Sequence, residues 1–487
     1  MSIGEFPSRS ESRPASPAGA GPESRPGAGP DSRPEAPPPP AVRLPVLPDS
    51  DLAQYRAELT AAGARVLIGS VVDMAGVARA KTVPVRRAGD FHRAGMGASP
   101  TWNVFCIDNT IAFTEQLGVV GDLRLRADLE AVRAVGGGYA WAPAELFGQD
   151  GDPSPQCARG RLRAVLAETA AAGLTAKVGH ELEFTLTDAD GGALPERRWQ
   201  PYGLGPVLER DGFVADLTDA LEEVGVGVEQ VHAEFGCGQF EVSLSPADPL
   251  ASADRVVLAR LVIGRVTRGY GLLASFSPLP FGGGAGNGAH LHLSWERDGV
   301  PLLSGGDGPR GLTAEGAAAL GGIVAGLPGT LAVFGGSVLS PARLAPGRWS
   351  GAFACWGLEN REAAVRLAAA GRGTPHGANV EVKCGDPSAN VYLATATALG
   401  LALDGVARDM PLPPEVRVDP AADPSAVRLP ATQGAVLDAF EDSATARGIL
   451  GEPIVAATLA VRRYEQRTYG EVPVDDLAER FRFAWSS

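Results

Sequence analysis

Residues 175–188, TAKVGHELEFTLTD, carry the pattern that most strongly indicates the fold. Apolar and polar residues alternate along them, and this period of two predicts a β-strand whose successive side chains point to opposite faces. The same period places the carboxylates of Glu181 and Glu183 on one face. Carboxylates among apolar neighbours are costly to bury unless they are paired or bind a metal ion. The solvent-exposed face of an antiparallel strand would show the same pattern, so both interpretations stay open at this point.

Helix and strand patterns alternate around this strand. We expect helices at 159–172, 211–226 and 251–271, strands at 236–245 and 288–295, and mainly helices in the last third of the chain. The mixture predicts an α+β protein with one long mixed domain over 152–487.

The N-terminal part indicates a smaller domain rich in sheet. Its expected elements are a helix at 51–62 capped by Asp49 or Ser50, two strands within 65–85 joined by a turn at 74–76, and further strands at 102–113 and 121–129. These define a domain over 46–145, followed by a joint rich in Gly, Pro and Asp. Residues 1–45 are rich in Pro, Ser and Arg and predict a disordered tail.

Composition excludes several classes of protein. The 487 residues are 45% hydrophobic and 21% charged, which favours a folded protein of more than one domain. The net charge of −14 disfavours non-specific binding to nucleic acid or anionic membranes. Five cysteines without a CxxC motif favour a reducing compartment. The apolar stretch Val391–Leu403 is shorter than the roughly 20 residues of a membrane span. We therefore expect a cytoplasmic protein without membrane or nucleic-acid partners.

A second acidic motif follows in residues 232–244, HAEFGCGQFEVSL. Glu234 precedes a turn that contains two glycines, and Gln239 and Glu241 share one face of the next strand. Glycines allow the backbone to approach a ligand closely, although they also simply make turns. A functional site and an ordinary turn are equally good interpretations of this motif alone.

A glycine-rich loop leads into a strand with two histidines in residues 282–294, GGGAGNGAHLHLS. His290 and His292 are two residues apart and share a face, so their imidazoles are candidate ligands for metal or phosphate. The loop does not match the GxxxxGK[ST] phosphate loop. Two structural histidines satisfied by hydrogen bonds remain the alternative.

Cationic side chains collect further along the chain. Arg361 and Arg366 lie in a largely apolar context, and Arg343 precedes them. Arginine suits the clamping of phosphate or carboxylate oxygens. Glu381 and Lys383 again share one strand face, and a surface ion pair is the alternative for each.

The motifs are more specific together than singly. Carboxylates with an imidazole suit Mg²⁺ or Mn²⁺ better than zinc. Two such ions, an arginine cluster and a glycine-rich loop are what the transfer of a nucleotide phosphate requires. We therefore expect two Mg²⁺ or Mn²⁺ ions per active site and a nucleotide as the phosphate donor.

The order of the motifs resembles the glutamine synthetase family, type I, and in particular its actinobacterial γ-glutamyl-amine ligase paralogues. The resemblance runs from about Arg65 to the C-terminus and rests on GHELEFTL, EFGCGQFEVSL, GNGAHLHLS, RLAPG, ENREAAVRL and VEVKCGDPSANVYLATATALGLALDG. It implies a β-grasp-like N-terminal domain and a large catalytic domain with a mixed antiparallel sheet. It also implies a homo-oligomer of two hexameric rings, in which the neighbouring N-terminal domain completes each active site.

The resemblance assigns expected roles to individual residues. One metal site is implied for Glu183, Glu234 and Glu241, and a second for Glu181, His290 and Glu381. Nucleotide contacts are implied for His292, Ser294 and Arg366, and Arg361 and Arg366 are implied to hold the transferred phosphate. Substrate contacts are expected for Gly286, Arg343, Trp349 and Lys383, with Arg343 on a glutamate carboxylate. Arg343 and Lys383 are also expected to take part in catalysis beside Arg361 and Arg366.

Some positions depart from the family pattern. The family's RxEVR motif is Asn379 to Lys383 here, so two arginines are lost, and Lys383 keeps the charge without the bidentate fork. Ala285 stands where the family has an Asn that contacts glutamate. Trp349 takes the position of a Glu that helps to deprotonate ammonium, and Gly97 aligns with an Asp of the ammonium pocket.

The implied function is an ATP-dependent ligase that phosphorylates the γ-carboxylate of glutamate and then joins the acyl group to an amine. Loss of both acids removes the negative charge that a small cation needs, and Trp349 supplies an aromatic wall. We therefore expect an organic amine, such as ethanolamine, a polyamine, an alkylamine or an arylamine, as the acceptor. A catalytically weak paralogue with a regulatory or assembly role and a true glutamate–ammonia ligase remain the alternatives.

Overall fold

The computed structural model describes residues 43–195, 199–374 and 377–486. These belong to one compact unit, Ala41–Ser487. The predicted disordered tail, 1–45, lies almost wholly outside the described residues, so that prediction stays untested.

Helices and strands alternate along much of the described chain, and the last four helices follow one another after the last strand. In chain order the α-helices are α1 (Asp49–Ala61), α2 (Ala88–Arg93), α3 (Ala158–Ala171), α4 (Leu204–Glu209), α5 (Asp211–Glu223), α6 (Pro249–Gly269), α7 (Ala314–Gly335), α8 (Ser340–Arg343), α9 (Val391–Ala407), α10 (Gln433–Glu441), α11 (Ala444–Leu450), α12 (Glu452–Tyr469) and α13 (Val474–Phe481).

The strands form two sheets. In chain order they are β1 (Val66–Val72), β2 (Ala78–Pro84), β3 (Met96–Ala98), β4 (Leu123–Ala127), β5 (Arg133–Gly136), β6 (Tyr139–Phe147), β7 (Thr175–Thr187), β8 (Val228–Ala233), β9 (Gln239–Ala247), β10 (Leu273–Ser275), β11 (Ala289–Arg297), β12 (Val300–Pro301), β13 (Phe353–Leu358), β14 (Ala363–Ala368), β15 (Asn379–Val382) and β16 (Val427–Arg428).

The first sheet is built from the N-terminal segment, in the order β2-β1-β6-β4-β3, with β5 beside β6. β1 and β6 are parallel and the other neighbours are antiparallel. The hairpin predicted within 65–85 is confirmed as β1 and β2. The predicted helix caps are wrong, because Asp49 already lies inside α1 and Pro48 precedes it without a side-chain cap.

The strand predicted at 102–113 is wrong. Residues Pro100–Val104 form a 3₁₀ turn, which Ser99 caps by accepting a hydrogen bond from the Thr101 amide. Beyond it the chain folds back within a few residues, since Asn109 has φ 65° and a single bridge joins Phe105 to Ile111. A proline at the start of a helical turn and a left-handed Asn both interrupt a strand.

The second sheet has the order β16-β13-β14-β15-β11-β7-β9-β8, with β10 beside β7 and β12 beside β11. The strands predicted at 175–188, 236–245 and 288–295 are confirmed as β7, β9 and β11. The helices predicted around them are confirmed as α3, α5 and α6, and α9 packs against α3, α6 and α7. The chain is therefore a mixed protein of helices and sheets, as expected for the α+β class.

Helix α7 is strongly apolar, and its sequence did not by itself predict a separate helix. It is long and apolar enough to cross a membrane by length and composition, with a mean hydropathy of 1.8. However, 72% of its most apolar 18-residue stretch is buried inside the protein, as in a core helix. Gly322 lets α7 approach α9 closely, because a Cβ there would lie 2.3 Å from the Leu401 carbonyl oxygen.

Residues distant in the chain fasten the turn between β1 and β2. The indole nitrogen of Trp485 donates to the Ala75 carbonyl over 2.8 Å, and the Asn390 amide donates to the Val72 carbonyl over 2.9 Å. Met74 and Ala75 accordingly belong to the hydrophobic core of the larger sheet, whereas Leu67 and Phe91 belong to a separate N-terminal cluster.

Candidate active site

Five neighbouring strands of the second sheet bring the predicted ligands together. Across β15, β11, β7, β9 and β8, the residues that lie directly opposite one another are Glu381 and His292, His290 and Glu181, Glu183 and Glu241, and Glu241 and His232. Opposite side chains on one face of an antiparallel pair have Cβ atoms about 5 Å apart. Strand register therefore assembles a row of carboxylates and imidazoles from segments far apart in the chain.

Two histidines lie against carboxylates at one end of this row. His290 Nδ1 is 2.9 Å from a Glu181 oxygen and 3.3 Å from a Glu381 oxygen. His292 Nε2 is 3.3 Å from the other Glu181 oxygen. The residues expected at the second metal site thus lie together, with His292 beside them.

At the other end, His232 joins Glu234 and Glu241. Its Nε2 atom is 3.0 Å from a Glu234 oxygen and 3.8 Å from a Glu241 oxygen. His232 is not among the site residues predicted from the sequence, although it stands two residues before Glu234, at the same spacing as the two histidines of β11.

Glu183 is held in a fixed orientation. Its Oε2 atom accepts hydrogen bonds from the Gln239 side-chain amide at 2.7 Å and from the Gly288 backbone amide at 2.8 Å, which leaves Oε1 without these donors. Gln239 in turn accepts from the Gly236 amide and donates to the Gly286 carbonyl. Gln239 is 2% exposed and was noted in the sequence only as a neighbour of Glu241 on its strand.

Gly288 leaves space between these groups. A Cβ atom there would lie 2.6 Å from His290 Nε2 and 2.7 Å from both Glu183 Oε1 and an Arg343 nitrogen. A side chain at this position would therefore fill the space that the ligand atoms face. The glycine-rich segment of the sequence was the signal for this close approach.

The carboxylates of the row lie close enough to shift one another's pKa. Burial raises the pKa of Glu241 well above its usual range, and so do the carboxylates of Glu181, Glu183, Glu234 and Glu381. Burial opposes ionisation of Glu381 as well, yet Lys383 and the two histidines of β11 lower its pKa to about 2. So many carboxylates in one place are costly without a compensating cation.

The donor set fits a divalent metal. Three groups have ligand atoms within 4.8 Å of one another, namely Glu181, His292 and Glu381; Glu181, Glu241 and His290; and His232, Glu234 and Glu241. Carboxylate oxygens with imidazole nitrogens suit Mg²⁺ or Mn²⁺. The free space beside Gly288 and the unfavourable ionisation of Glu241 among other carboxylates support the same assignment. The residues therefore fit a divalent metal ion.

A wall of cationic side chains faces the acids. Arg366 donates to Glu381 over 2.9 Å and also pairs with Glu359, and Lys383 donates to the other Glu381 oxygen over 2.9 Å. Arg343 is buried, and one of its nitrogens is 3.3 Å from His290 Nε2. Arg361 is exposed and makes no ion pair with the described residues.

These groups border one cavity of about 950 Å³. Its wall includes the six predicted metal ligands and the residues Gly286, Arg343, Trp349, Arg361, Arg366 and Lys383. Among the predicted site residues, His292 and Ser294 are not part of this wall, and Ser294 lies opposite Lys177 further along β11. Three aromatic side chains in the wall are more than half exposed, namely Tyr202, Phe235 and Trp349.

The departures from the family pattern have structural counterparts. Asn379 Oδ1 is 2.9 Å from His292 Nδ1, so the side chain that replaces an arginine orients this imidazole. Ala285 lies in the cavity wall, where a longer side chain would reach further into the cavity. Trp349 also lies in the wall and is 55% exposed.

Comparisons with known proteins agree with the geometry. Residues 155–480 match the family model described as glutamine synthetase, catalytic domain. The chain is 39% identical to the gamma-glutamylpolyamine synthetase GlnA3 of Streptomyces coelicolor, over 88% of this chain and 95% of that protein. It is 32% identical to a glutamine synthetase of Clostridium saccharobutylicum, over 61% of this chain and 69% of that protein.

Solved structures show the same relationship. A crystal structure of a novel glutamine synthase homolog superposes with a TM-score of 0.79 at 31% identity, covering 87% of this chain and 99% of that chain. A GmaS/ADP complex superposes with a TM-score of 0.77 at 28% identity, covering 86% of this chain and 97% of that chain. The chain therefore belongs to the glutamine synthetase family and is an ATP-dependent ligase.

Proposed function

We propose that this protein joins glutamate to an organic amine in an ATP-dependent reaction that passes through γ-glutamyl phosphate. The observation that carries the proposal is the wall of the cavity, where an aromatic residue, Trp349, borders the same space as the carboxylate row and the arginines. The similarity to a relative named for γ-glutamylation of polyamines supports an amine acceptor.

Two Mg²⁺ or Mn²⁺ ions would be held by the carboxylate row. Glu183, Glu234 and Glu241 would hold one, and Glu181, His290 and Glu381 the other. Such ions neutralise the charge on phosphate oxygens during phosphoryl transfer. Gln239 and the Gly288 amide orient Glu183 for this role, since both donate to the same oxygen.

In the first step the γ-carboxylate of glutamate attacks the γ-phosphorus of ATP, and ADP leaves. Arg361 and Arg366 would stabilise the charge on the transferred phosphate, because their planar guanidinium groups bind its oxygens in pairs. His292 and Ser294 would contact the nucleotide. Arg343, Gly286 and Lys383 would bind glutamate and orient its reacting carboxylate.

In the second step the uncharged amine attacks the acyl carbon. A C–N bond forms, the C–O bond to phosphate breaks, inorganic phosphate leaves and the amine nitrogen loses a proton. Trp349 gives the acceptor an aromatic surface in place of an acidic one, which favours an alkyl, aryl or cationic organic amine over ammonium.

The finer architecture belongs to the same proposal. Residues 46–145 would be the β-grasp-like domain and residues 152–487 the catalytic domain. The protein would form two stacked hexameric rings in the cytoplasm, with the segment around Gly97 facing the active site of a neighbour.

The decisive experiment compares γ-glutamyl amide formation from glutamate, ATP and Mg²⁺ or Mn²⁺ with ethanolamine, putrescine, spermidine, butylamine, aniline or ammonium. Product is identified by mass spectrometry and phosphate release is measured in parallel. An organic amine with the highest kcat/KM supports the proposal. Ammonium as the best acceptor would establish the glutamate–ammonia ligase instead, and no product with any amine would favour the catalytically weak paralogue.

A further inference from the structure

The loop between α8 and β13 presents Trp349 in an uncommon backbone conformation. Trp349 has φ 51°, in the left-handed region that bulky residues rarely adopt. Gly347 and Gly351, on either side, both have φ 73°. The loop is therefore tightly turned, and its aromatic side chain, Trp349, is more than half exposed in the cavity wall. Something must hold this conformation.

The holding group is the carboxylate of Glu362. The backbone amide of Trp349 donates to Glu362 Oε1 over 2.8 Å. Glu362 Oε2 is buried and has no hydrogen-bond partner among the residues that the structure describes. The Trp349 amide is therefore the hydrogen-bond donor that this half-buried carboxylate has among the described residues, and its release would leave the carboxylate without a donor.

Glu362 is itself fixed. Its amide donates to the side chain of Asn360 over 3.2 Å, and the Asn360 amide donates to the carbonyls of Val416 and Val418, each over 3.0 Å. Arg361, between Asn360 and Glu362, lies in the cavity wall. A single turn therefore carries a phosphate-binding candidate and the anchor of the aromatic wall.

We infer that Glu362 is a positioning residue that sets the acceptor specificity of the ligase by fixing Trp349 in the cavity wall. This inference rests on the proposed function for its effect on catalysis, and on geometry alone for its effect on Trp349. Without the carboxylate, the Trp349 backbone relaxes to a negative φ and the indole leaves its place. The wall then opens to water and to small amines.

The experiment compares Glu362→Ala, Glu362→Gln and Trp349→Ala in the full chain. The matched control is Glu222→Ala, which removes an equivalent bond from a carboxylate to a backbone amide, 2.7 Å from Val228 and outside the cavity wall. The KM values for the best organic amine, glutamate and ATP are measured together with the rate with ammonium.

For Glu362→Ala we expect the KM for the organic amine to rise on the order of tenfold, because the variant loses one hydrogen bond to a charged group. The KM values for glutamate and ATP should stay within about twofold, and ammonium should gain relative to the organic amine. Glu362→Gln keeps an acceptor oxygen and should restore the wild-type values, and the control should match wild type. Unchanged amine selectivity, or an equal rise in all three KM values, would overturn the inference.

Trp349 fluorescence tests whether Glu362 fixes the position of Trp349, independently of which amine is the acceptor. The spectrum of this residue is obtained as the difference between each protein and its Trp349→Phe counterpart. We expect its emission to shift in Glu362→Ala and not in Glu362→Gln. If wild type makes no amide with organic amines, the proposed function fails while this shift still supports the positioning role. An unshifted emission refutes the positioning role whatever the acceptor.

Discussion

Replacement of Gln239 by Leu should weaken metal binding without unfolding the protein. The Gln239 side chain is buried and connects three parts of the site, because it donates to Glu183 and to the Gly286 carbonyl and accepts from the Gly236 amide. Leu fills a similar volume but makes no hydrogen bond. Glu183 Oε2 would then keep only the Gly288 amide as a donor, and its carboxylate could rotate.

The magnitude follows from the bonds that are lost. A hydrogen bond to a charged group contributes about 1.5–3 kcal/mol and a neutral one about 1 kcal/mol. Gln239→Leu removes the one charged and two neutral hydrogen bonds named above, so we expect the free energy of unfolding to fall by about 3.5–5 kcal/mol. Partners that orient metal ligands typically change metal affinity by about 10- to 100-fold when removed. The same range is expected for Mn²⁺ at this site.

The assay is a Mn²⁺ titration followed by electron paramagnetic resonance, in parallel with urea unfolding. Gln433→Leu is the matched control, since Gln433 is also buried and donates to the Gly336 carbonyl over 3.0 Å, and neither residue is part of the cavity wall. The control should lose stability but keep the wild-type Mn²⁺ affinity. Wild-type Mn²⁺ affinity in Gln239→Leu would refute the reasoning, whatever its stability.

The remaining predictions concern catalysis and pH. Glu183→Ala and Glu241→Ala should each fold and lose turnover, because a ligand oxygen is removed beside uncompensated charges; near-wild-type activity in either would contradict the two-metal assignment. Arg361→Lys should keep its melting temperature and lose at least about 100-fold in kcat, since a point charge cannot replace a bidentate clamp; an unchanged kcat would contradict this. Burial lowers the pKa of His92, whose neutral Nε2 accepts the Leu47 amide. The unfolded state therefore binds a proton first, and the free energy of unfolding should fall as pH drops below about 6.5. Urea unfolding at several pH values should show that the free energy of unfolding depends less on pH in His92→Gln than in wild type. An equal pH dependence in the two proteins would contradict this role of His92.

The strands of the site could be predicted from the sequence because apolar and polar residues alternate along them. The strands β7, β9 and β11 were confirmed, and the candidate ligands on them lie in one row. The pairing register between strands could not be predicted from the sequence, and this register places His232 opposite Glu241. The role of Gln239 likewise depends on a partner 56 positions away in the chain.

Other errors have local physical causes. Residues 102–113 do not form a strand, because Asn109 adopts a left-handed conformation and turns the chain back within the segment. Helix α7 contains Pro328 and several glycines, which usually indicate loops. Those small residues serve close packing against α9, a tertiary effect that overrides local propensity.

The bond between Trp485 and Ala75 has a consequence for biosynthesis. The two residues are 410 positions apart, so the β1–β2 turn leaves the ribosome long before the indole that fastens it has been translated. At about 5–20 residues per second, the interval is on the order of 20–80 seconds. During that time Met74 and Ala75 expose apolar surface that the finished protein buries. The nascent chain is therefore a natural client for chaperones, and slow synthesis should lower the yield of native protein more than it would for a fold with local contacts.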